Sequence, residues 1–427
     1  MRKAIFWLHL LVGIVAGLVI LSMAASGTVI AWQRQVTEYA ERNFRVHPAP
    51  GATTLSPETL LGRAAEAKPG QPFVGLTLRA DPTAPAVATI GREGMVLLNP
   101  YTGEVLGEGA AQVRSFYRWI IEWHRWLALE GVSRETGKAL TGAASLGFLG
   151  LVLSGFYLWW PRRWTPKVLS AISVPSLKLR GKSRDFNWHN AVGLWCAPLL
   201  LLVTLTGTIM AYQWANDLLY RVTGNEPPPP QVRREGGPEN AAAGRPGMNG
   251  QRPMEGRPGG EGSHEGGRGP GEHGHHGGGA GGAPWAGLDP LWQTAAQRVA
   301  GWKILSVRFQ GPPGQMTFLI DCGDGGRPDL RSTLVLNSKS GEVVRWEPFS
   351  RLNAGKQLRM WARFVHTGEA GGWLGQFLAT CATVGAMVLI WTGFALALRR
   401  LITFIRRRDD TPAQTPLPSE NLSTAAK

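Results

Sequence analysis

Four long stretches nearly free of charge constrain this chain more than anything else in it: Ala4–Gln33, Ala139–Trp160, Trp188–Asn216 and Ala370–Leu398. Each reaches or exceeds the roughly 20 residues that cross a bilayer core as a helix, the form in which a single segment satisfies its own backbone. Lys and Arg flank them unevenly. Arg2 and Lys3 precede the first. Arg162, Arg163, Lys167, Lys178, Arg180, Lys182 and Arg184 crowd the connection between the second and third, and Arg399, Arg400, Arg406, Arg407 and Arg408 follow the fourth. The positive-inside rule assigns these three segments to the cytoplasm and the long segments, about 34–138 and 217–369, to the outside. Trp123, Trp126, Trp159, Trp160, Trp188, Trp214 and Trp373 stand near span ends, as an interfacial belt would. Much of the net charge of +15 is then a topology signal and argues against a nucleic-acid partner. Arg2-Lys3 and Ala24-Ala25-Ser26 resemble a cleaved signal peptide, but the first run is long and matches an internal span, so it reads as retained. Three cysteines, Cys196, Cys322 and Cys381, are too few and scattered for a disulfide framework. No C-x-x-C-H occurs, which excludes covalent c-type haem.

The spans reveal a duplication. His9-x-x-x-Gly13 matches His189-x-x-x-Gly193, Ser26-Gly27-Thr28 matches Thr206-Gly207-Thr208, and Ala31-x-Gln33 matches Ala211-x-Gln213, all at an offset of 180. Asn99-x-x-x-Gly103-Glu104-Val105 matches Asn337-x-x-x-Gly341-Glu342-Val343, and Ser154-Gly155-Phe156 matches Thr392-Gly393-Phe394, both at an offset of 238. The Gly/Pro-rich tract at about 225–284 accounts for the difference. The expected fold is a mainly α membrane protein with four transmembrane helices in two tandem parallel repeats, each carrying a small extracytoplasmic α+β domain.

The expected organisation is transmembrane helix 1 over 1–33, a first outer domain over 34–115, an outer interfacial helix with His124 over 116–138, and helix 2 over 139–163. A basic cytoplasmic loop over 164–187 and helix 3 over 188–216 follow. After the Gly/Pro/His-rich tract come a second outer domain over 285–350, an interfacial segment with His366 over 351–371, helix 4 over 372–400 and a cytoplasmic tail over 401–427. Each outer domain reads as one helix (56–67 and 288–300) on its own small antiparallel sheet. No nucleophile–base pair is evident in either, and Cys322 reads as a buried or a reactive thiol. The tract has almost no large apolar residues and cannot fold alone. Its His264, His273, His275 and His276 are either incidental in a linker or a weak metal-capturing tract.

Four histidines mark the ends of the spans, and an ionisable group there is a functional candidate. His9 and His189 open spans 1 and 3 on the cytoplasmic side, and His124 and His366 precede spans 2 and 4 on the outer side. Under a twofold axis along the membrane normal each pair converges, and two facing imidazoles suit the axial positions of a b-type haem. Gly13 and Gly193, four residues after their His on the same helical face, leave room for a flat macrocycle or serve helix packing. Arg125 and Arg363 near the outer pair could meet haem propionates or an anionic ligand, or snorkel to the headgroups. A metal permeation path would want carboxylates in mid-membrane, and these four stretches contain none.

The tandem His-x-x-x-Gly…Thr-Gly-Thr spans, the Asn-x-x-x-Gly-Glu-Val outer motifs, the His124-Arg-Trp-Leu segment and Gly155-Phe-Tyr-Leu-Trp-Trp-Pro-Arg-Arg163 together resemble the PepSY-associated transmembrane proteins, also called PiuB-like iron-regulated membrane proteins. The resemblance implies PepSY-like outer domains. It also implies the role of an inner-membrane ferric-siderophore reductase, an oxidoreductase with two b haems held by His9, His189, His124 and His366. Termini would be cytoplasmic and the outer domains periplasmic. Some members carry a fused flavin reductase domain; this chain has none that the reading finds, so the implied donor is separate, a quinol or a cytoplasmic flavoprotein. The implied acceptor is a ferric-siderophore. Two other functions stay open: a membrane-tethered peptidase regulator or interaction protein with no redox centre, and a metal-uptake permease.

Overall fold

The computed structural model describes residues 1–91, 94–161, 163–229 and 283–409, with side chains as far as 406. Arg162, the bulk of the Gly-rich tract with His264, His273, His275 and His276, and the tail beyond 409 lie outside the described residues. The helices are α1 (Arg2–Ala31), α2 (Gln33–Ala40), α3 (Pro57–Ala67), α4 (Ala111–Trp126), α5 (Ser133–Trp159), α6 (Pro166–Ser173), α7 (Gly181–Ala211), α8 (Gln213–Val222), α9 (Leu288–Arg298), α10 (Ala354–His366) and α11 (Gly372–Asp409). The strands are β1 (Phe73–Arg79), β2 (Ala86–Ile90), β3 (Gly94–Leu98), β4 (Val105–Gly107), β5 (Ile304–Arg308), β6 (Gln315–Asp321), β7 (Arg331–Asn337) and β8 (Val343–Pro348). They divide into a helical unit (1–32, 118–212 and 365 onward) and a sheet unit (33–117 and 213–364).

In the helical unit, α1, α5, α7 and α11 are long and apolar enough to cross a bilayer. α1 packs on α5 and α11, and α7 packs on the same two, so α1 lies diagonal to α7. Small residues allow the close approach that membrane helices use in place of a hydrophobic driving force. Ala24, Leu200, Ala382 and Ala386 are buried at the centre, and Gly17 faces the Phe394 ring. Polar links add to this along α1 and α11. The Thr28 and Thr383 hydroxyls are 2.7 Å apart, Trp32 Nε1 donates to Thr380 at 2.9 Å, and Gln376 donates to the Ala31 carbonyl at 2.7 Å.

Several expected boundaries shift because polar residues near the span ends find partners within the unit. α5 begins at Ser133 rather than Ala139, and Thr141 donates to the Arg125 carbonyl at 2.7 Å. α7 begins at Gly181 rather than Trp188, since Asp185 and Asn187 are buried and bonded. It ends at Ala211, where Tyr212 is extended, and α8 follows, so the third span does not run to Asn216. The interfacial helix expected over 116–138 is broken: α4 stops at Trp126, and Leu127 and Ala128 take φ of 56° and 53°. Trp126 is no belt residue; it is 3% exposed, with the Arg134 guanidinium 4.0 Å and that of Arg125 4.9 Å from its ring. α11 continues past Arg400 to Asp409.

The sheet unit corrects a larger expectation. In place of two small sheets there is one, ordered β4-β3-β2-β1-β5-β6-β7-β8, with every neighbour antiparallel. The order is symmetric about the β1–β5 pair, which runs from Gly75 opposite Arg308 to Arg79 opposite Ile304, with the Thr77 and Ser306 hydroxyls 2.9 Å apart. Two separate sheets would leave β1 and β5 as open edges with unpaired backbone groups; joining them removes both edges. Period-two alternation turns Met316, Phe318 and Ile320 of β6 inward. There they meet Leu60, Leu61 and Ala64 of α3 and Leu288, Leu291 and Ala295 of α9. Each large side chain so buried contributes about 1.5–3 kcal/mol. The two helices cap each other: Glu58 N–H donates to the Asp289 carboxylate at 2.9 Å and Asp289 N–H to that of Glu58 at 3.0 Å. The Asn99 and Asn337 motifs fold alike, each with a glycine, Gly103 or Gly341, at φ of 76° or 73°.

At the end of β6 the ion pair between Asp321 and Arg331 is almost fully buried, with Nε 2.9 Å from Oδ2. Burial and the Asp321 charge together raise the neighbouring Cys322 thiol above its usual range, which favours the unreactive thiol form. Asp321→Ala strands the guanidinium in the core. It is expected to cost about 3–5 kcal/mol, read as a lower denaturation midpoint of the full chain.

Candidate functional site

The histidines come together in pairs within the helical unit. His9 on α1 and His189 on α7 approach across the bundle diagonal, with ring centroids 6.4 Å apart and ring planes 86° apart. His124, near the end of α4, and His366, at the end of α10, have centroids 6.2 Å apart and planes at 63°.

Each ring is seated against another helix by a Ser/Thr-Gly dipeptide. His9 Nδ1 lies 2.8 Å from Ser154 Oγ on α5, and His189 Nδ1 lies 2.9 Å from Thr392 Oγ1 on α11. His124 Nδ1 is 3.0 Å from Ser26 Oγ on α1 and 3.0 Å from the Met23 carbonyl. His366 Nδ1 is 3.3 Å from Thr206 Oγ1 on α7 and 2.9 Å from the Val203 carbonyl. A carbonyl only accepts, and all four hydroxyls direct their own hydrogen to the carbonyl one turn back: Gly150, Val388, Ser22 and Leu202, at 2.6–2.8 Å. Nδ1–H is therefore the donor on every ring, which leaves Nε2 with its lone pair free to ligate. The following glycines complete the seats. A Cβ on Gly155, Gly393, Gly27 or Gly207 would lie 3.3, 3.6, 3.3 or 3.0 Å from the Cε1 of its histidine.

The His124 and His366 rings have a second support. Gly137 of α5 lies directly against the Trp126 carbonyl, and Gly375 of α11 against the Gly368 carbonyl. In both cases the carbonyl belongs to the residue two places after the histidine. Gly13 and Gly193 do not touch the rings: the nearest atoms to a Cβ there are Leu151 Cδ2 at 4.0 Å and Leu389 Cδ2 at 3.5 Å. Arg125 is exposed and stacks on Trp126. Arg363 belongs to the sheet unit, with its guanidinium 5.0 Å from the Phe364 ring.

This geometry can be tested against a macrocycle. Imidazole nitrogen bonds a first-row metal at about 2.0 Å, which puts each ring centroid about 3 Å from it and two trans rings about 6–6.5 Å apart. Both pairs fall in that range. A bare ion would need three or four protein ligands. Among the described residues no group of three or more His, Cys, Asp or Glu is assembled to hold one. A haem brings four nitrogens of its own and asks the protein for two. His9 and Ser26, the seat of His124, are 17 positions apart on α1, so the two pairs stand about 25 Å apart along the helix.

The family model described as PepSY-associated TM region matches residues 6–400. The chain belongs to this family. No match was found among curated proteins. For this PepSY-associated transmembrane protein, the match spans both units and all eight seat and histidine positions.

The seat residues are what sequence reasoning missed, although their signal was present: Ser26-Gly27, Thr206-Gly207, Ser154-Gly155 and Thr392-Gly393 mark the repeat but carry no ligand chemistry of their own. Ser154→Ala leaves the His9 donor without its acceptor. It is expected to cost about 1–3 kcal/mol, measured as a lower unfolding midpoint, while Ser154→Thr keeps the hydroxyl and stays near the parent value.

Proposed function

We propose that this protein is a di-haem b electron conduit of the bacterial inner membrane that reduces an extracytoplasmic ferric-siderophore. The observation that carries the reading is the two histidine pairs, each at a separation that would let two imidazoles hold one iron between them and each with Nδ1 occupied. Bound there, haem supplies one-electron exchange between ferric and ferrous iron. The residues do the rest. His9 and His189 would hold one group near the Arg-rich end of the bundle, and His124 and His366 the second, about 25 Å away along α1. Ser154, Thr392, Ser26 and Thr206 fix the ring orientations and raise ligand basicity. Ala24, Leu200, Ala382 and Ala386 keep water out between them. Arg125, one residue after His124, would meet a propionate or an anionic acceptor.

In this reading the chain is two parallel repeats about an axis along the membrane normal. The symmetric strand order, the reciprocal caps of Glu58 and Asp289 and the matched seats all support that symmetry. The basic ends face the cytoplasm, where a quinol or flavoprotein delivers electrons, and the PepSY-like sheet unit lies in the periplasm. Reduction releases the metal because ferrous iron, with less charge, is held less tightly by hard oxygen ligands. Among the described residues no three ligands gather for a bare-ion route, and a regulator without a redox centre leaves four matched histidine seats without a use.

The test is a reduced-minus-oxidised spectrum of the purified protein with pyridine haemochrome quantitation, followed by reoxidation with a ferric hydroxamate. About two b haems per chain and reoxidation by the chelate are expected. Absence of haem after haem-replete expression would sink the reading.

A further inference from the structure

The connection between α5 and α7 is not used by the redox reading. From Pro161 to Arg180 it contains five Lys or Arg and no Asp or Glu, and Lys182 and Arg184 follow in the first turn of α7. Apart from α6, its first turn capped by Thr165, the connection is irregular among the described residues. Irregular backbone beside a membrane needs partners for its polar groups, and here the bundle supplies them. Trp159 Nε1 donates to the Ile172 carbonyl at 3.3 Å, Trp195 Nε1 to Ser173 at 2.8 Å, and Trp188 Nε1 to Ser176 at 3.1 Å. Asn187 donates to the Ala171 and Val174 carbonyls at 2.7 and 3.0 Å and accepts from Ser176 N–H at 2.8 Å. Four side chains thus pin residues 171–176 onto the end of the helical unit.

The side chains left outward are mixed in kind. Trp164, Val174 and Leu177 are 54%, 56% and 86% exposed. Beside them Arg163, Lys167, Lys178, Arg180 and Lys182 are exposed. Water alone would not favour the bare apolar groups, and hydrocarbon alone would not accept the cations. The headgroup layer of an anionic bilayer accepts both, with apolar side chains at the acyl boundary and cations at the phosphates. We propose that the segment Arg163–Arg184 is a pinned interfacial anchor that binds anionic phospholipid headgroups. This rests on membrane embedding alone and stands or falls separately from the haem assignment.

The test uses the full-length protein in nanodiscs of phosphatidylcholine containing a minor share of phosphatidylglycerol. Lipids retained through purification are quantified by native mass spectrometry. Phosphatidylglycerol is expected to be enriched about tenfold over its bulk share, given the attraction of several clustered cations. In K178Q/R180Q/K182Q the enrichment should fall close to one, and in the charge-conserving K178R/R180K/K182R it should persist. On the parent protein, 1 M salt shortens the Debye length to about 3 Å and should remove most of the enrichment. No enrichment in the parent, or enrichment that survives either the Gln substitutions or the salt, overturns the proposal. If the Gln variant keeps its lipid preference but loses electron input from an acidic donor protein, the cations serve that partner and the proposal is equally overturned. If the Gln variant does not fold, the salt response of the parent decides.

Discussion

On the proposed di-haem reading, His366→Ala is expected to leave one b haem where the parent would hold two, and to cut electron delivery to an external ferric chelate by about 100-fold or more. Loss of one well-placed neighbour of a metal ligand already costs 10–100-fold, and here the ligand itself is lost. His124→Ala should behave the same way, because the two ring centroids stand 6.2 Å apart. His9→Ala and His189→Ala should remove the other haem and block reduction from the cytoplasmic donor, yet leave the outer haem reducible by dithionite. Haem quantitation together with stopped-flow reduction separates the two classes. If all four variants kept two haems, the pairing would be wrong. If each lost both, the two sites would be one cooperative centre.

The second large effect is expected at Gly137, which binds nothing. A side chain there would overlap the Trp126 carbonyl, a backbone atom that no rotamer change moves aside. Gly137→Val therefore has to push α4 away from α5 or shift the turn at Leu127 and Ala128, which already holds two non-glycine residues at positive φ. The expected cost is about 3 kcal/mol or more, at the upper end for overpacking. His124 lies two residues from the displaced carbonyl, so the outer haem should be lost and the inner one kept. Gly375→Val should do the same through Gly368 and His366. Gly150, also inside α5, has nothing within 4 Å of a Cβ position; Gly150→Ala is the control and should leave stability and haem content near parent values. Thermal unfolding and the haem spectrum of the three variants give the comparison. Equal behaviour of Gly137→Val and Gly150→Ala would refute the close-approach argument.

The spans were legible because a bilayer demands about 20 apolar residues in a row, and no tertiary contact is needed to see that. Their ends were not, because helices continue for as long as polar residues find partners, and Asn187 finds Ala171, Val174 and Ser176 only once α6 has folded back. The strands were legible from alternation, as at Met316, Phe318 and Ile320. That β1 would pair with β5 was not: the pairing joins residues more than 220 positions apart, and local pattern carries no information about which edge meets which. Trp126 shows the same limit, since a tryptophan beside a span reads as an interfacial residue until Arg134 is seen to cover it.

Composition, charge bias and the internal repeat by themselves determined a four-span membrane chain with two related halves and four candidate histidines, since each follows from one-dimensional chemistry: apolar length, Lys and Arg placement, residue spacing. Only the tertiary structure decided how those histidines meet. It brought His9 to His189 and His124 to His366, placed a hydroxyl and a glycine against every ring, and joined the strands expected in two domains into one sheet. The reason is that ring orientation depends on which helices touch. Close approach at positions such as Gly27, Gly207 and Gly137 is a property of pairs of helices, and it cannot be read from either helix alone.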